Sequence, residues 1–269
     1  MTMASLDPDL AAALNRAADA AHLLVALDFD GSLAPLVDRP EDARMLPRFI
    51  PILERFAEHP HLTLALVSGR AGDSLAACAE VPDHTIAVGS HGSQHGEILA
   101  APHRRRRFVS EEAPLSAEEA QLLALVRSDA HAIATSHPGV HLEDKPTAVV
   151  VHTRRAAPQV GAAAQEAARR GPAARPGVSA LEGKEVIELA VRTATKGEAL
   201  LNLVRQTGAT FAIYAGDDVT DEHAFSALAN ADIPHLTIRV GPGESAATHR
   251  VADPEALADA LSHLADRLS

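Results

Sequence analysis

Three short apolar runs, each cut off by a polar loop, constrain the fold of this 269-residue chain more than any other feature. The first is Leu23-Leu24-Val25-Ala26-Leu27, ended by Asp28-Phe29-Asp30-Gly31. The second is Leu62-Thr63-Leu64-Ala65-Leu66-Val67, ended by Ser68-Gly69-Arg70. The third is Thr85 to Val88, ended by Gly89-Ser90-His91-Gly92. Runs this short and continuous are the pattern of strands buried on both faces. Helical patterns alternate with them. Leu10 to Ala21 reads as a helix, and Phe49, Leu53 and Phe56 recur at helical spacing within Pro47 to Glu58. A short helix capped by Asp73 is expected after the second run. The alternation predicts an α/β fold on a doubly wound parallel sheet. Ligands bind such sheets outside the carboxyl ends of the strands, where these polar loops fall.

The texture changes in the middle of the chain. Arg104 to Arg107 reads as a loop near a hinge. Ser116 and Glu119 form a capping box for a helix running through Val126. Ala148 to His152 and Glu185 to Ala190 read as strands, with a helix from Gln159 to Arg170 between them. In the second of these strands Glu188 falls on the face opposite Ile187 and Leu189. The first texture then returns. Lys196 opens a helix, Phe211 to Ala215 is a strand ended by Gly216-Asp217-Asp218, and Leu236 to Val240 is another. Asp253 and Pro254 cap and open a last helix. The expected organisation is a core of residues 1–102 and 191–269, split by an α+β insert of residues 103–190.

Composition removes several function classes. With 24 Lys+Arg against 36 Asp+Glu, the formal net charge of −12 argues against a nucleic-acid binder. It argues more weakly against an anionic membrane surface. An aromatic content of 3% leaves few stacking platforms for single strands. The one cysteine, Cys78, excludes a disulfide framework and any all-cysteine metal site. Fifteen histidines are present, but no His-Glu-x-x-His pattern. No apolar run reaches transmembrane length, and Met1 to Leu27 lacks a basic leader segment. A cytoplasmic monomer with no nucleic-acid or membrane partner is the expectation.

The chemistry gathers at strand ends. Asp28 and Asp30 follow the first strand, Ser68 the second, and Asp217 and Asp218 a later one, with Asp221 one helical turn on. Parallel strands would bring these groups to one edge of the sheet. Carboxylates gathered there repel one another unless a cation joins them, and hard oxygen donors favour Mg²⁺.

The ordered set Asp-x-Asp-Gly-Ser, Ser-Gly-Arg, Lys-Gly and Gly-Asp-Asp resembles the haloacid dehalogenase superfamily of phosphatases. Over nearly its whole length the chain is similar to the trehalose-6-phosphate phosphatase family within it. The stretches that carry this are Leu27 to Pro35, Val67 to Arg70, Gly89 to Gly92, Glu143-Asp144-Lys145, Glu182-Gly183-Lys184, Lys196-Gly197 and Gly216 to Glu222. The resemblance implies a Rossmann-like core with a cap domain that closes over a sugar phosphate. It implies Asp28 as nucleophile, forming an aspartyl-phosphate, and Asp30 as general acid and then base. Such a role needs Asp30 protonated part of the time, and neighbouring negative charge is expected to favour that. Ser68 and Lys196 would hold the phosphoryl group, with Gly69 and Arg70 near the substrate. Mg²⁺ would be held by Asp28, Asp30 and Asp217, helped by Asp218 and Asp221. Glu143, Lys145, Arg154 and Glu188 would contact the sugar.

Three stretches depart from the family pattern. Ser32 stands where Thr is usual, His152-Thr153-Arg154 lacks a central aromatic, and Ala190-Val191 replaces a basic residue followed by Pro. Within the same class, sucrose 6-phosphate or a glycosyl-phosphoglycerate is the alternative substrate. A silent sugar-phosphate-binding regulatory subunit is the alternative from another class.

Overall fold

The computed structural model describes residues 6–37, 39–102, 105–111, 115–183, 185–191 and 195–268. Arg104 and Lys184, which belong to stretches read above, lie outside the described residues. The chain divides into two units, Met1–Glu112 with Ala194–Ser269, and Ala113–Thr193.

The first unit is built on an eight-stranded sheet. Its strands are β1 (Leu23–Leu27), β2 (Leu62–Val67), β3 (Thr85–Gly89), β4 (Gln94–Ala101), β5 (Arg105–Ser110), then β10 (Phe211–Gly216), β11 (His235–Val240) and β12 (His249–Val251). Their order is β12-β11-β10-β1-β2-β3-β4-β5. The strands from β12 to β3 run parallel, and β4 and β5 extend the sheet antiparallel. All five residues of β1 are buried, because the pleat sends alternate side chains into two separate cores. Leu23, Val25 and Leu27 pack with Leu14 of α1 (Pro8–Ala18), Phe56 of α2 (Phe49–Glu58) and Leu261 of α8 (Pro254–Leu268). Leu24 and Ala26 pack with Leu200 of α6 (Lys196–Thr207) and Phe225 of α7 (Asp221–Ala229). A fully buried leucine contributes roughly 1.5–3 kcal/mol, so the continuous apolar run is what a two-sided sheet requires. The chain leaves β1 toward β2 on one side and returns as β10 on the other. The strand order therefore reverses between β1 and β10, the place where open α/β sheets bind ligands.

Several boundaries differ from the sequence reading. The insert begins after residue 112 rather than at 103, and ends at 193 rather than 190. The cause is the β4–β5 hairpin, which pairs from Gly96↔Ser110 to Ala101↔Arg105 and brings Phe108 against the core. Arg105 to Arg107 thus stand in the edge strand of the core sheet, not in a hinge loop. Cationic side chains on such an edge oppose pairing with other chains. Asp73 does not cap α3 (Gly72–Cys78); Ala71 takes that place with no side-chain bond. Helix α1 starts earlier than read, because the Asp7 carboxylate accepts from Asp9 N and Leu10 N ahead of it.

The second unit has a four-stranded antiparallel sheet in the order β6-β7-β9-β8. These are β6 (His141–Asp144), β7 (Ala148–His152), β8 (Ser179–Gly183) and β9 (Val186–Ala190). Helices α4 (Ala117–Ser136) and α5 (Pro158–Arg170) cover one face. The Ser116–Glu119 capping box opens α4, which runs well past the expected Val126. Ile187 and Leu189 enter this unit's core with Val126, Val149 and Val151, so Glu188 projects from the opposite face of the sheet. Among the described residues, no helix is long and apolar enough to cross a membrane.

Candidate active site

Asp28 is the residue at which β1 stops. Its amide still donates to Ala215 O at 2.9 Å, so the ladder to β10 continues one step beyond the strand. Its carboxylate is buried and meets Lys196 Nζ at 2.9 Å. Lys196 sits at the first position of α6, where Thr195 and Glu198 form a capping box. It is 2% exposed, and a lysine so deep needs partners. It has two, Asp28 and, at 2.7 Å, Asp221. Burial works against its charge, but Asp28 and then Asp221 hold it above the ordinary lysine range, so it stays an ammonium.

Asp221 is fully buried at the start of α7. Its Oδ1 accepts from Lys196 Nζ at 2.7 Å and from the Tyr214 hydroxyl at 2.6 Å. Its Oδ2 accepts from the amides of Asp217 and Asp218 at 3.0 and 2.9 Å. This approach requires Gly216, where a Cβ would lie 2.3 Å from the Asp221 Cγ. Asp28, Asp217 and Asp221 form one carboxylate cluster, each offering an oxygen within 4.8 Å of the others. Four protein donors already meet the Asp221 carboxylate within this cluster. It fixes Lys196 and the Asp217–Asp218 backbone.

Asp217 is the group with capacity to spare. Its Oδ1 is buried and has no hydrogen-bond partner among the described residues. Gly31, at φ +74°, turns the loop after β1 so closely past it that a Cβ there would lie 2.0 Å from Asp217 Oδ2. Burial, followed by the nearby Asp221 charge, pushes Asp217 up to about 6. Burial likewise pushes Asp28 well up, against the pull of Lys196. Three carboxylates face one ammonium here, an excess of two negative charges. An orphaned carboxylate oxygen and that excess fit a divalent cation bound by oxygen donors.

Asp30 has a different neighbour from the one expected. Both of its oxygens are gripped by Arg70, Nε to Oδ2 and Nη2 to Oδ1, each at 2.6 Å. The guanidinium also lies over the Phe29 ring at 5.5 Å. A cation therefore adjoins Asp30 directly. The fork takes two of the five guanidinium donors, and Arg70 also lines the cavity. Ser68 is buried at the end of β2, where its amide donates to Val88 O at 2.8 Å. Its Oγ accepts from Arg70 N at 3.2 Å. The Asp218 carboxylate accepts from Val219 N at 2.7 Å.

One cavity of about 480 Å³ is lined by Asp28, Asp30, Ser68, Gly69, Arg70, Lys196, Asp217 and Asp218. Most of the core residues singled out in the sequence thus meet at one place. Leu36, Val37, His91 and Thr220 also line it. Of these His91 had a signal in its position after a strand, and Thr220 in the Gly216 to Glu222 stretch. Tyr214 was missed, because it reads as one more apolar strand residue. The four remaining candidates lie in the second unit. Lys145 Nζ pairs with Glu188 Oε2 at 2.7 Å, and Glu143 meets His152 Nε2 at 3.0 Å. Arg154 is largely exposed, 3.8 Å from Glu185.

A mostly parallel sheet with a buried carboxylate after its central strand, a buried lysine and an acidic loop on the next strand is the arrangement of a phosphatase of the haloacid dehalogenase type. A family model described as trehalose-phosphatase matches residues 26–259. The trehalose-phosphate phosphatase of Mycolicibacterium paratuberculosis is 33% identical over 97% of this chain and 67% of its own length. That of Mycobacterium avium is 34% identical with the same coverage. Among solved structures, Aspergillus fumigatus trehalose-6-phosphate phosphatase superposes with a TM-score of 0.70 at 23% identity, covering 97% of this chain and 98% of that one. The chain belongs to the trehalose-phosphatase family, whose members are phosphoric monoester hydrolases.

Proposed function

We propose that this chain hydrolyses trehalose 6-phosphate to trehalose and phosphate through an aspartyl-phosphate on Asp28, with Mg²⁺ as cofactor. The observation that carries the reading is the Asp28–Lys196 contact on the floor of a cavity that also holds Ser68 and Asp217. An Asp28 oxygen attacks phosphorus as the bond to the sugar oxygen breaks. Asp30 gives its proton to that leaving oxygen, then takes one from the water that cleaves the acyl phosphate. For this the Arg70 fork must release Asp30. Lys196 and Ser68 take up the phosphoryl oxygens, whose charge the uncatalysed reaction leaves to water. Asp28, Asp217 and the Asp30 backbone carbonyl would hold Mg²⁺, which adds positive charge beside the phosphoryl group when bound. Asp221 acts behind them and Asp218 beside them.

The second unit supplies sugar recognition, with Glu143, Lys145, Arg154 and Glu188 on or beside its sheet. Carboxylates and ammonium groups suit the hydroxyls of a sugar. A cytoplasmic monomer acting on a small sugar phosphate belongs to the same proposal; the lone, buried Cys78 suits the reducing setting. Retention of Asp28, Asp30, Lys196 and Asp217 together disfavours a silent regulatory role. Phosphate release is to be measured with Mg²⁺ from trehalose 6-phosphate, sucrose 6-phosphate and a glycosyl-phosphoglycerate. Release is expected from the first. Turnover of only the others would overturn the substrate. Binding without turnover by wild type and Asp28→Asn alike would overturn the enzymatic reading.

A further inference from the structure

We propose that Tyr214 is a positioning residue for phosphoryl transfer, holding Asp221 so that Lys196 is delivered to Asp28. The inference rests on the reading of Asp28 and Lys196 as phosphoryl-transfer groups. Tyr214 lies inside β10, paired with Ala26 of β1 on one side and Thr237 of β11 on the other. It is fully buried among Leu24, Ala26, Leu200 and Phe225, with the Phe225 ring edge-on at 5.7 Å. Every one of those neighbours would accept a phenylalanine. The hydroxyl is therefore not required by packing, and burying it is costly unless it is bonded. Its bond goes to Asp221 Oδ1 at 2.6 Å.

That oxygen is the one Lys196 also touches. Lys196 stands between two carboxylates at nearly equal distances, 2.7 Å to Asp221 and 2.9 Å to Asp28. The two compete for one ammonium. A phenol hydrogen bond on Asp221 Oδ1 draws off part of its charge and stops the carboxylate from rotating. The fixed Oδ1 in turn holds Lys196 Nζ where it also reaches Asp28. The Oδ2 side is already fixed by the amides of Asp217 and Asp218, so Tyr214 completes the clamp. Burial, then the nearby Asp221 and Asp28 charges, push the phenol well above its ordinary range. It thus remains a donor at any working pH.

The test uses the full chain with Mg²⁺ and two substrates, trehalose 6-phosphate and p-nitrophenyl phosphate. Tyr214→Phe is expected to lower kcat about tenfold on both, with KM changed less than about twofold. Asp221→Asn should lower kcat further, and adding Tyr214→Phe to it should cost nothing more, since the hydroxyl acts only through Asp221. Rates are referred to folded protein from native size exclusion. An unchanged kcat, additive losses in the double variant, or a Tyr214→Phe chain that does not fold would each overturn the proposal. The aryl phosphate separates this from the substrate question. If wild type acts on it but not on trehalose 6-phosphate, the substrate reading fails and the role of Tyr214 is still measured.

Discussion

The Arg70 guanidinium holds both carboxylate oxygens of Asp30, at 2.6 Å each, beside the cavity that contains Asp28. While the fork is closed, neither Asp30 oxygen is directed at a leaving group. If Asp30 is the general acid proposed above, Arg70 governs where it can deliver its proton. Proton delivery matters when the leaving group is a sugar alkoxide and little when it is p-nitrophenolate. Arg70→Met is expected to lower kcat/KM for trehalose 6-phosphate about tenfold or more, and for p-nitrophenyl phosphate less than about threefold. Steady-state rates on the two substrates check it. Equal losses on both would mean that Arg70 acts on the phosphoryl group instead.

Asp28 and Lys196 separate chemistry from stability. Asp28→Asn removes the proposed nucleophile but keeps its shape, so turnover should fall about a thousandfold or more. It also removes one of three carboxylates that crowd a single ammonium. In chelator-treated protein its Tm should equal or exceed that of wild type. Lys196→Met does the opposite, leaving buried carboxylates without their cation. A loss of about 3–5 kcal/mol is expected in urea unfolding.

This cluster also shows how far the sequence could be read. Asp28, Asp30, Ser68, Lys196 and Asp217 were legible because each stands where a buried strand stops or a helix opens, and one-dimensional pattern marks those points. The role of Asp221 was not legible. It depends on a phenol from the middle of β10 and on two backbone amides, partners that only the folded chain brings together. The β4–β5 hairpin was missed for a related reason. It lies beyond the doubly covered centre of the sheet, so β4 alternates in burial, and β5 opens on arginines. That texture matched the insert rather than the core. The Asp30–Arg70 pair joins residues 40 apart, across two strand ends, and pattern alone carries no trace of it.

The Asp217 carboxyl, pushed up to about 6 mainly by burial, gives the metal-free protein a defined pH response. Between its unfolded value near 3.8 and about 6, the folded state binds more protons at this site than the unfolded state. The contribution of Asp217 therefore falls as pH rises through that window. In chelator, wild type should lose Tm relative to Asp217→Asn between pH 4.5 and pH 7. A divalent cation needs the ionised carboxylate, so Mg²⁺ affinity should weaken up to about tenfold per pH unit below about 6. Titration calorimetry at two pH values measures it. An affinity independent of pH would exclude Asp217 as a ligand.

Glu188 offers the complementary separation, of substrate choice from chemistry. It stands in the middle of β9, opposite the Ile187–Leu189 face that enters its unit's core, and pairs with Lys145 at 2.7 Å. Both side chains are about a quarter exposed, at 24% and 23%, so the pair adds little to stability. Glu188→Gln should leave the urea midpoint nearly unchanged. If Glu188 accepts hydrogen bonds from sugar hydroxyls, losing its charge should raise KM for trehalose 6-phosphate about tenfold. The kcat/KM for p-nitrophenyl phosphate, which has no sugar to recognise, should stay within about twofold. An equal loss on both substrates would mean that Glu188 supports the catalytic groups rather than the sugar. An unchanged KM on both would remove it from recognition altogether.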